Sequence, residues 1–271
     1  MLDLDVIAGL IAVAVLAVAL VAGWRLLAGR AAGTRWLVLR VAAAIVVALV
    51  VVSGLAYLLM NSRSVQLLGE HVARVSTSEK VVALTFDDGP SSTYVGEILA
   101  DLAHYHAAGT FFVIGSAAES DPAALRRLIA AGEEIGNHTY SHRRLILVSG
   151  ATVAREIETT DAVIRRAGYT GPILVRPPNG KKLLSAPYYL WRHGRTTVMW
   201  DLEPDSISAI AGNAEAMAKY VADNVRPGSI ILLHPWYGSR SATRQALPII
   251  LEELAARGFR FVTVSQLLSQ R

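Results

Sequence analysis

Asp87 and Asp88 are adjacent carboxylates at the end of an apolar run, Val81-Val82-Ala83-Leu84, within Thr85-Phe86-Asp87-Asp88-Gly89-Pro90. Neighbouring anions at the end of a buried strand repel, so one pKa must rise unless a cation neutralises the pair. A bound metal would do that, with one carboxylate as ligand and its neighbour as base. Asp, Gly and Pro are also ordinary turn residues, so the hexapeptide alone does not separate a site from a strand-end turn.

His138 and His142 lie four apart in Asn137-His138-Thr139-Tyr140-Ser141-His142. On a helical turn that spacing puts both imidazoles on one face, aimed at one ion. With Asp88 they form a set of two imidazoles and one carboxylate. Three protein ligands leave positions open for water or substrate, as a catalytic centre requires. His104 and His106 are two apart near a helix end, away from any carboxylate cluster, and read as structural. His71 and His193 receive no role.

These groups need a scaffold. Strand signals fall at 81–86, 110–114, 134–137, 172–176, 196–200, 229–233 and 259–264. Helix signals alternate with them at 94–107, 122–132, 151–167, 183–193, 213–224, 242–256 and 266–270. Asp121-Pro122 is a strong helix start, with a cap residue followed by proline in the first turn. Alternating β and α elements predict an α/β fold, a distorted (β/α) barrel of about seven parallel strands. In such folds reactive groups gather at the C-terminal strand ends. Asp87-Asp88, the His138 segment, Arg176-Pro177-Pro178-Asn179-Gly180, Asp201-Leu202-Glu203-Pro204-Asp205 and His234-Pro235-Trp236 all follow predicted strands. One face therefore collects the notable polar clusters.

The order Thr-Phe-Asp-Asp-Gly-Pro, His-Thr-x-Ser-His, Arg-x-Pro-x-Gly and Leu-x-His resembles the polysaccharide deacetylases, the NodB-homology domain of carbohydrate esterase family 4. The resemblance covers roughly residues 80–268. It implies that Asp88, His138 and His142 hold a divalent metal, commonly zinc. It implies Asp87 as general base, Arg176 as the group orienting it, and His234 as the acid that protonates a departing amine. A backbone N–H at Asn179 would stabilise the oxyanion, and Leu232 would line the acetyl pocket. The chain departs from the family at three places. Asn179 stands where an aromatic is frequent. No Trp follows Asp201 or Asp205, so either acid could support His234 or Arg176. Glu133 replaces a common His and is expected as a surface change.

The front of the chain is different in kind. Val6–Gly23 and Val41–Met60 carry no charge, and each approaches the roughly 20 apolar residues that cross a bilayer. Two transmembrane α-helices are expected, at about 6–23 and 41–60, preceding the catalytic domain. Arg25, Arg30, Arg35 and Arg40 lie between the runs with no acid, while Asp3 and Asp5 precede them. Basic flanks stay cytoplasmic, which places everything after Met60 outside the cell membrane. The acidic N-terminus argues against a cleaved signal peptide. The expected organisation is a membrane anchor over 1–60, a linker over 61–79 and a catalytic domain over 80–271. The absence of cysteine excludes disulfides and thiolate metal sites. Half of the +4 net charge belongs to residues 1–60. What remains is too small to argue for nucleic acid.

An outward domain beside a membrane predicts an N-acetylated glycan of the cell envelope as substrate, peptidoglycan or another exported polymer, with N-acetylglucosamine units deacetylated. Trp236 and Tyr237, just after His234, are candidate sugar-stacking residues. The alternatives are an O-acetyl esterase, a non-sugar amide hydrolase, and a catalytically silent, membrane-tethered glycan-binding protein. The last has no need of both a base and an acid, so the full set Asp87, Asp88, His138, His142, Arg176 and His234 discriminates against it.

Overall fold

The computed structural model describes residues 34–271. The first expected span therefore lies outside the described residues. The second lies in α1 (Thr34–Asn61), whose segment Arg40–Asn61 is apolar and nowhere buried against the rest of the chain. Among the described residues this is the one helix long and apolar enough to cross a membrane.

The expected linker at 61–79 is instead packed on the domain. Ser62 and Val75 are buried, and β1 (His71–Val72) pairs in parallel with Thr197–Val198. Its mixed polarity resembles a tether, yet Val72 and Val75 supply apolar contacts to one core cluster.

β2 (Val81–Asp87) is buried at all seven positions, which fits its continuous apolar run and a central place in a parallel sheet. α2 (Val95–His104) leads to β3 (Gly109–Val113), which pairs with β2. The chain then forms α3 (Gly115–Ser120), α4 (Pro122–Ala130) and β4 (Glu134–Asn137), which pairs with β3. Asp121 caps α4 by accepting from Ala124 N–H, as the Asp-Pro signal predicts. The sequence reading places no helix at α3, whose residues GSAAES have no apolar stripe.

After α5 (Gly150–Arg166), the strand expected at 172–176 is reduced to single bridges from Val175 to Asn137 and to Thr197. Pro172, Pro177 and Pro178 lack the N–H groups a longer ladder needs. α6 (Ser185–Arg192), β5 (Thr197–Val198), α7 (Ala214–Asn224), β6 (Ile230–Leu233), α8 (Ser241–Ala256), β7 (Arg260–Phe261) and α9 (Val264–Leu268) complete the chain. β6 pairs with the C-terminal half of β2, and β7 with its first two residues. A bridge from Leu202 to Ile231 joins the segment after β5 back to β6. The ring thus closes, partly through single bridges, into a distorted (β/α) barrel. Seven strands are described; β1, paired with β5, is one of them, while the 172–176 segment keeps its place between β4 and β5 through bridges alone.

Glu133 is not a surface residue. It is 7% exposed and accepts the Gly109 N–H at 2.6 Å. Burial pushes its carboxyl up to about 7, against the pull of that hydrogen bond.

Gly136 in β4 meets Phe112 so closely that an added Cβ would lie 2.4 Å from the ring. Phe112 in turn covers the Arg176 guanidinium at 4.1 Å. Gly136→Ala is expected to destabilise the domain by about 1–3 kcal/mol through overpacking. A thermal melt of the full chain checks this as a lowered midpoint, and an unchanged midpoint contradicts it.

Candidate active site

The C-terminal end of β2 presents both aspartates. Asp88 has φ 76°, a left-handed conformation that Asp tolerates better than most residues. Gly89 is required by close approach, since a Cβ there would fall 2.3 Å from the Trp236 ring.

β4 delivers the histidine segment, which is not the helical turn the four-residue spacing implies. Thr139 and His142 both have positive φ. Asn137 Oδ1 accepts the Thr139 N–H at 2.8 Å. Glu156, on α5, accepts the N–H groups of Tyr140 and Ser141 and the Ser141 hydroxyl, at 3.0, 2.8 and 2.8 Å. These bonds fold the loop so that both imidazoles reach Asp88.

His142 Nε2 lies 3.1 Å from Asp88 Oδ1, and His138 Nε2 lies 3.6 Å from the same oxygen. One ligand atom from each of the three residues falls within 4.8 Å of the others. His138 Nδ1 lies 2.8 Å from the Arg176 carbonyl, which only accepts, so Nδ1 carries the proton. Burial lowers the pKa of His138, although Asp87 and Asp88 pull the other way. The neutral ring then turns its Nε2 lone pair toward two carboxylate oxygens, 3.5 Å from Asp87 Oδ2 and 3.6 Å from Asp88 Oδ1. Asp88 Oδ1 is itself buried without a hydrogen bond of good geometry. Electron-rich atoms converging on one point fit a cation better than they fit one another. Burial opposes the charge on Asp88, but His142 foremost, with His138 and His234, outweighs it and holds the carboxyl at about 2.

Arg176 is fully buried behind Asp87. Its Nη1 donates to Asp87 Oδ1 at 2.7 Å and to Thr85 Oγ1 at 2.9 Å. Its Nη2 donates to the Met199 carbonyl at 3.0 Å. The guanidinium is thereby fixed, and one carboxylate oxygen of Asp87 with it.

On the opposite wall, β6 ends at His234. Asp205 Oδ1 lies 3.1 Å from His234 Nδ1, and Asp205 Oδ2 accepts the His234 N–H at 2.7 Å. Burial works against the imidazolium, but Asp205, then Asp87 and Asp88, raise its pKa to about 9. Of the two acids left open by the sequence, Asp205 is the one that contacts His234. Asp201 instead accepts from Ser229 Oγ and Ile230 N–H, both at 2.8 Å, and braces the start of β6. Burial raises its carboxyl to about 6 despite those donors.

A cleft of about 460 Å³ opens over Asp87, Asp88, His138, His142, Leu232 and His234. Asn179 also lines it, with φ 53° and its side-chain oxygen accepting from Arg144 Nε at 3.0 Å. Trp236 is not the exposed platform expected from the sequence. It is 5% exposed and packs 6.0 Å from Phe111, while Tyr237 is 47% exposed.

Several site residues escape the sequence reading. Thr85 holds Arg176 while donating to the Ile231 carbonyl at 2.8 Å, and it sits inside the Asp-Asp motif. Glu156 carries no sequence signal of its own. Arg63 reaches the cleft from the expected linker, 2.9 Å from Glu203 and over the Trp200 ring at 4.9 Å.

Residues 74–198 match the family described as Polysaccharide deacetylase. A peptidoglycan-N-acetylglucosamine deacetylase of Bacillus cereus is 36% identical over 194 residues, 72% of this chain and 91% of that protein. The peptidoglycan-N-acetylmuramic acid deacetylase PdaC of Bacillus subtilis is 33% identical over 196 residues, 71% of this chain and 40% of that longer protein. The crystal structure of the Bc1960 peptidoglycan N-acetylglucosamine deacetylase superposes with a TM-score of 0.69 at 30% identity, covering 74% of this chain and 94% of that one.

Proposed function

The chain belongs to the polysaccharide deacetylase family, and we propose that it removes N-acetyl groups from N-acetylglucosamine units of a cell-envelope polysaccharide, peptidoglycan or another exported glycan, as a membrane-anchored, metal-dependent hydrolase. The observation that carries this reading is the pairing of two differently tuned groups across one cleft. Asp87 is fixed by Arg176 on one side, and His234 is held protonated by Asp205 on the other.

Asp88, His138 and His142 would hold a divalent ion, Zn2+ by family resemblance, with a donor set that suits other divalent ions as well. When bound, that ion supplies a Lewis acid for the acetyl carbonyl and acidifies a water molecule. Asp87 Oδ2, the oxygen not engaged by Arg176, takes the proton from the attacking water. The backbone N–H of Asn179 donates to the oxygen that becomes negative. Leu232 walls the space for the acetyl methyl. His234 gives its proton to the departing sugar nitrogen, which leaves poorly as an anion. Acetate and a free amine result. A binding protein gains nothing from keeping an oriented base and a tuned acid together.

α1 supplies the anchor in this reading. The arginines before Val41 would keep the segment that carries them cytoplasmic and the catalytic domain extracytoplasmic. The bilayer and the glycan are then the two partners. Buried Ser62, Val72 and Val75 support including part of 61–79 in the catalytic unit.

Incubating the full chain with peptidoglycan and with N-acetylglucosamine oligomers, then counting new primary amines, tests the reading. Free amino sugars are the expected product. Acetate from O-acetylated xylan without any new amine would favour the esterase alternative, and no product from any glycan would favour the silent binding protein.

The acid also carries a pH prediction. His234 donates while protonated, so the rate should fall as pH rises past about 9. Asp205→Asn removes the charge that holds the proton and moves that falling limb to lower pH. At pH 8 the variant should be slower by roughly tenfold or more. A limb that stays in place would show that Asp205 does not tune the acid.

A further inference from the structure

Outside α1, seven large apolar residues are exposed among the described residues, and five of them cluster. Leu184, Tyr188 and Trp191 stand at i, i+4 and i+7 of α6 and its cap, 59%, 53% and 51% exposed. That spacing puts them on one face of the helix. Leu67 and Leu68, 47% and 37% exposed, adjoin them through Gly69, whose added Cβ would lie 3.0 Å from Trp191 Cβ. An apolar stripe this exposed on a short helix is not a core-facing stripe.

Both parts of the patch are tied to the end of α1. Leu67 follows Asn61 by six residues, a reach of at most about 20 Å. On the other side, Lys182 Nζ donates to the Ser62 carbonyl at 2.7 Å, and Lys181 Nζ bonds the Asn61 side chain. Leu184 comes two residues later. α6 contains no acidic residue and ends on the exposed Arg192. Tyr and Trp are the residues favoured at headgroup depth, where one edge is apolar and the other wet.

We propose that Leu67, Leu68, Leu184, Tyr188 and Trp191 form a surface that lies in the headgroup region of the bilayer crossed by α1. This rests on α1 spanning the membrane. The domain is then held against the membrane at two points, the helix exit and α6. Because Asn61, Arg63 and Lys181 also line the catalytic cleft, the cleft opens beside the lipid surface.

The chain has no cysteine, so a single introduced cysteine carries a dye at one known place. Four full-length variants, Leu49→Cys, Leu184→Cys, Tyr188→Cys and Ala255→Cys, are labelled with an environment-sensitive fluorophore. They are reconstituted in vesicles of phosphatidylcholine and phosphatidylglycerol carrying nitroxide lipids. Leu49 reports the span, and Ala255 reports an exposed site on α8. Labels at 184 and 188 are expected to shift to the blue and lose most of their emission to a headgroup-level nitroxide, while that at 255 keeps its emission. Quenching at 49 with 184 and 188 no more quenched than 255 overturns the proposal and leaves the anchor intact. No quenching at 49, even by a nitroxide placed deep in the acyl chains, removes the anchor itself, and this surface with it.

Discussion

Asp87→Asn is expected to reduce acetate release by roughly 10²- to 10⁴-fold, the usual contribution of a positioned general base. The substitution keeps the shape of the side chain and an oxygen for Arg176, but the amide nitrogen cannot take a proton from water. Asp88, His138 and His142 are untouched, so metal stoichiometry should remain that of the parent. Arg176 is buried and loses its counter-charge, keeping only neutral acceptors: the new amide oxygen, Thr85 Oγ1 and the Val198 and Met199 carbonyls. Breaking such a pair costs about 3–5 kcal/mol, so the variant should also melt earlier. Metal content and the melt therefore accompany the rate, because inactivity with an empty site or an unfolded chain would not speak to the base. Full activity in a folded, metal-loaded variant would remove Asp87 from the mechanism.

Asp88→Ala should act differently. It deletes the one anionic group of the proposed ligand set while sparing Asp87 and His234. Zinc affinity is expected to fall by more than about 100-fold, beyond the effect of losing a group that only supports a ligand. Activity should fall with it. A bound ion stabilises the fold by mass action, so a chelator should lower the melting point of the parent. The same chelator should leave Asp88→Ala unmoved, since that variant has no ion to lose. Equal zinc affinity in parent and variant would show that the ion is held elsewhere.

Much of this site is legible in the sequence because parallel β/α folds gather strand ends on one face. Asp87, Asp88, His138, His142, Arg176, Leu232 and His234 all meet in or directly behind one cleft. Apolar runs such as 81–84 and strong caps such as Asp121-Pro122 mark their elements without tertiary help. The failures have common causes. His138 and His142 converge through two left-handed residues and the Glu156 carboxylate, features that spacing does not encode. Pro172 and the Pro177-Pro178 pair cut a β-like stretch down to single bridges at Val175. Residues 61–79 look polar, yet Val72 and Val75 pin part of the segment to the domain. Trp236 follows His234 closely, as a sugar-stacking residue beside the proposed acid would, but Gly89 leaves room for it inside. Asp201 and Asp205 are equivalent in the sequence, and only their distances to His234 separate them.

The measurement that tests the central claim most directly is acetate release from N-acetylglucosamine oligomers by the full-length chain, stripped with chelator and then titrated with zinc. The account predicts no release from the stripped protein and recovery that saturates at one zinc per chain. Release that persists undiminished after stripping, or a fully loaded and folded protein that frees no acetate from any glycan, would contradict it.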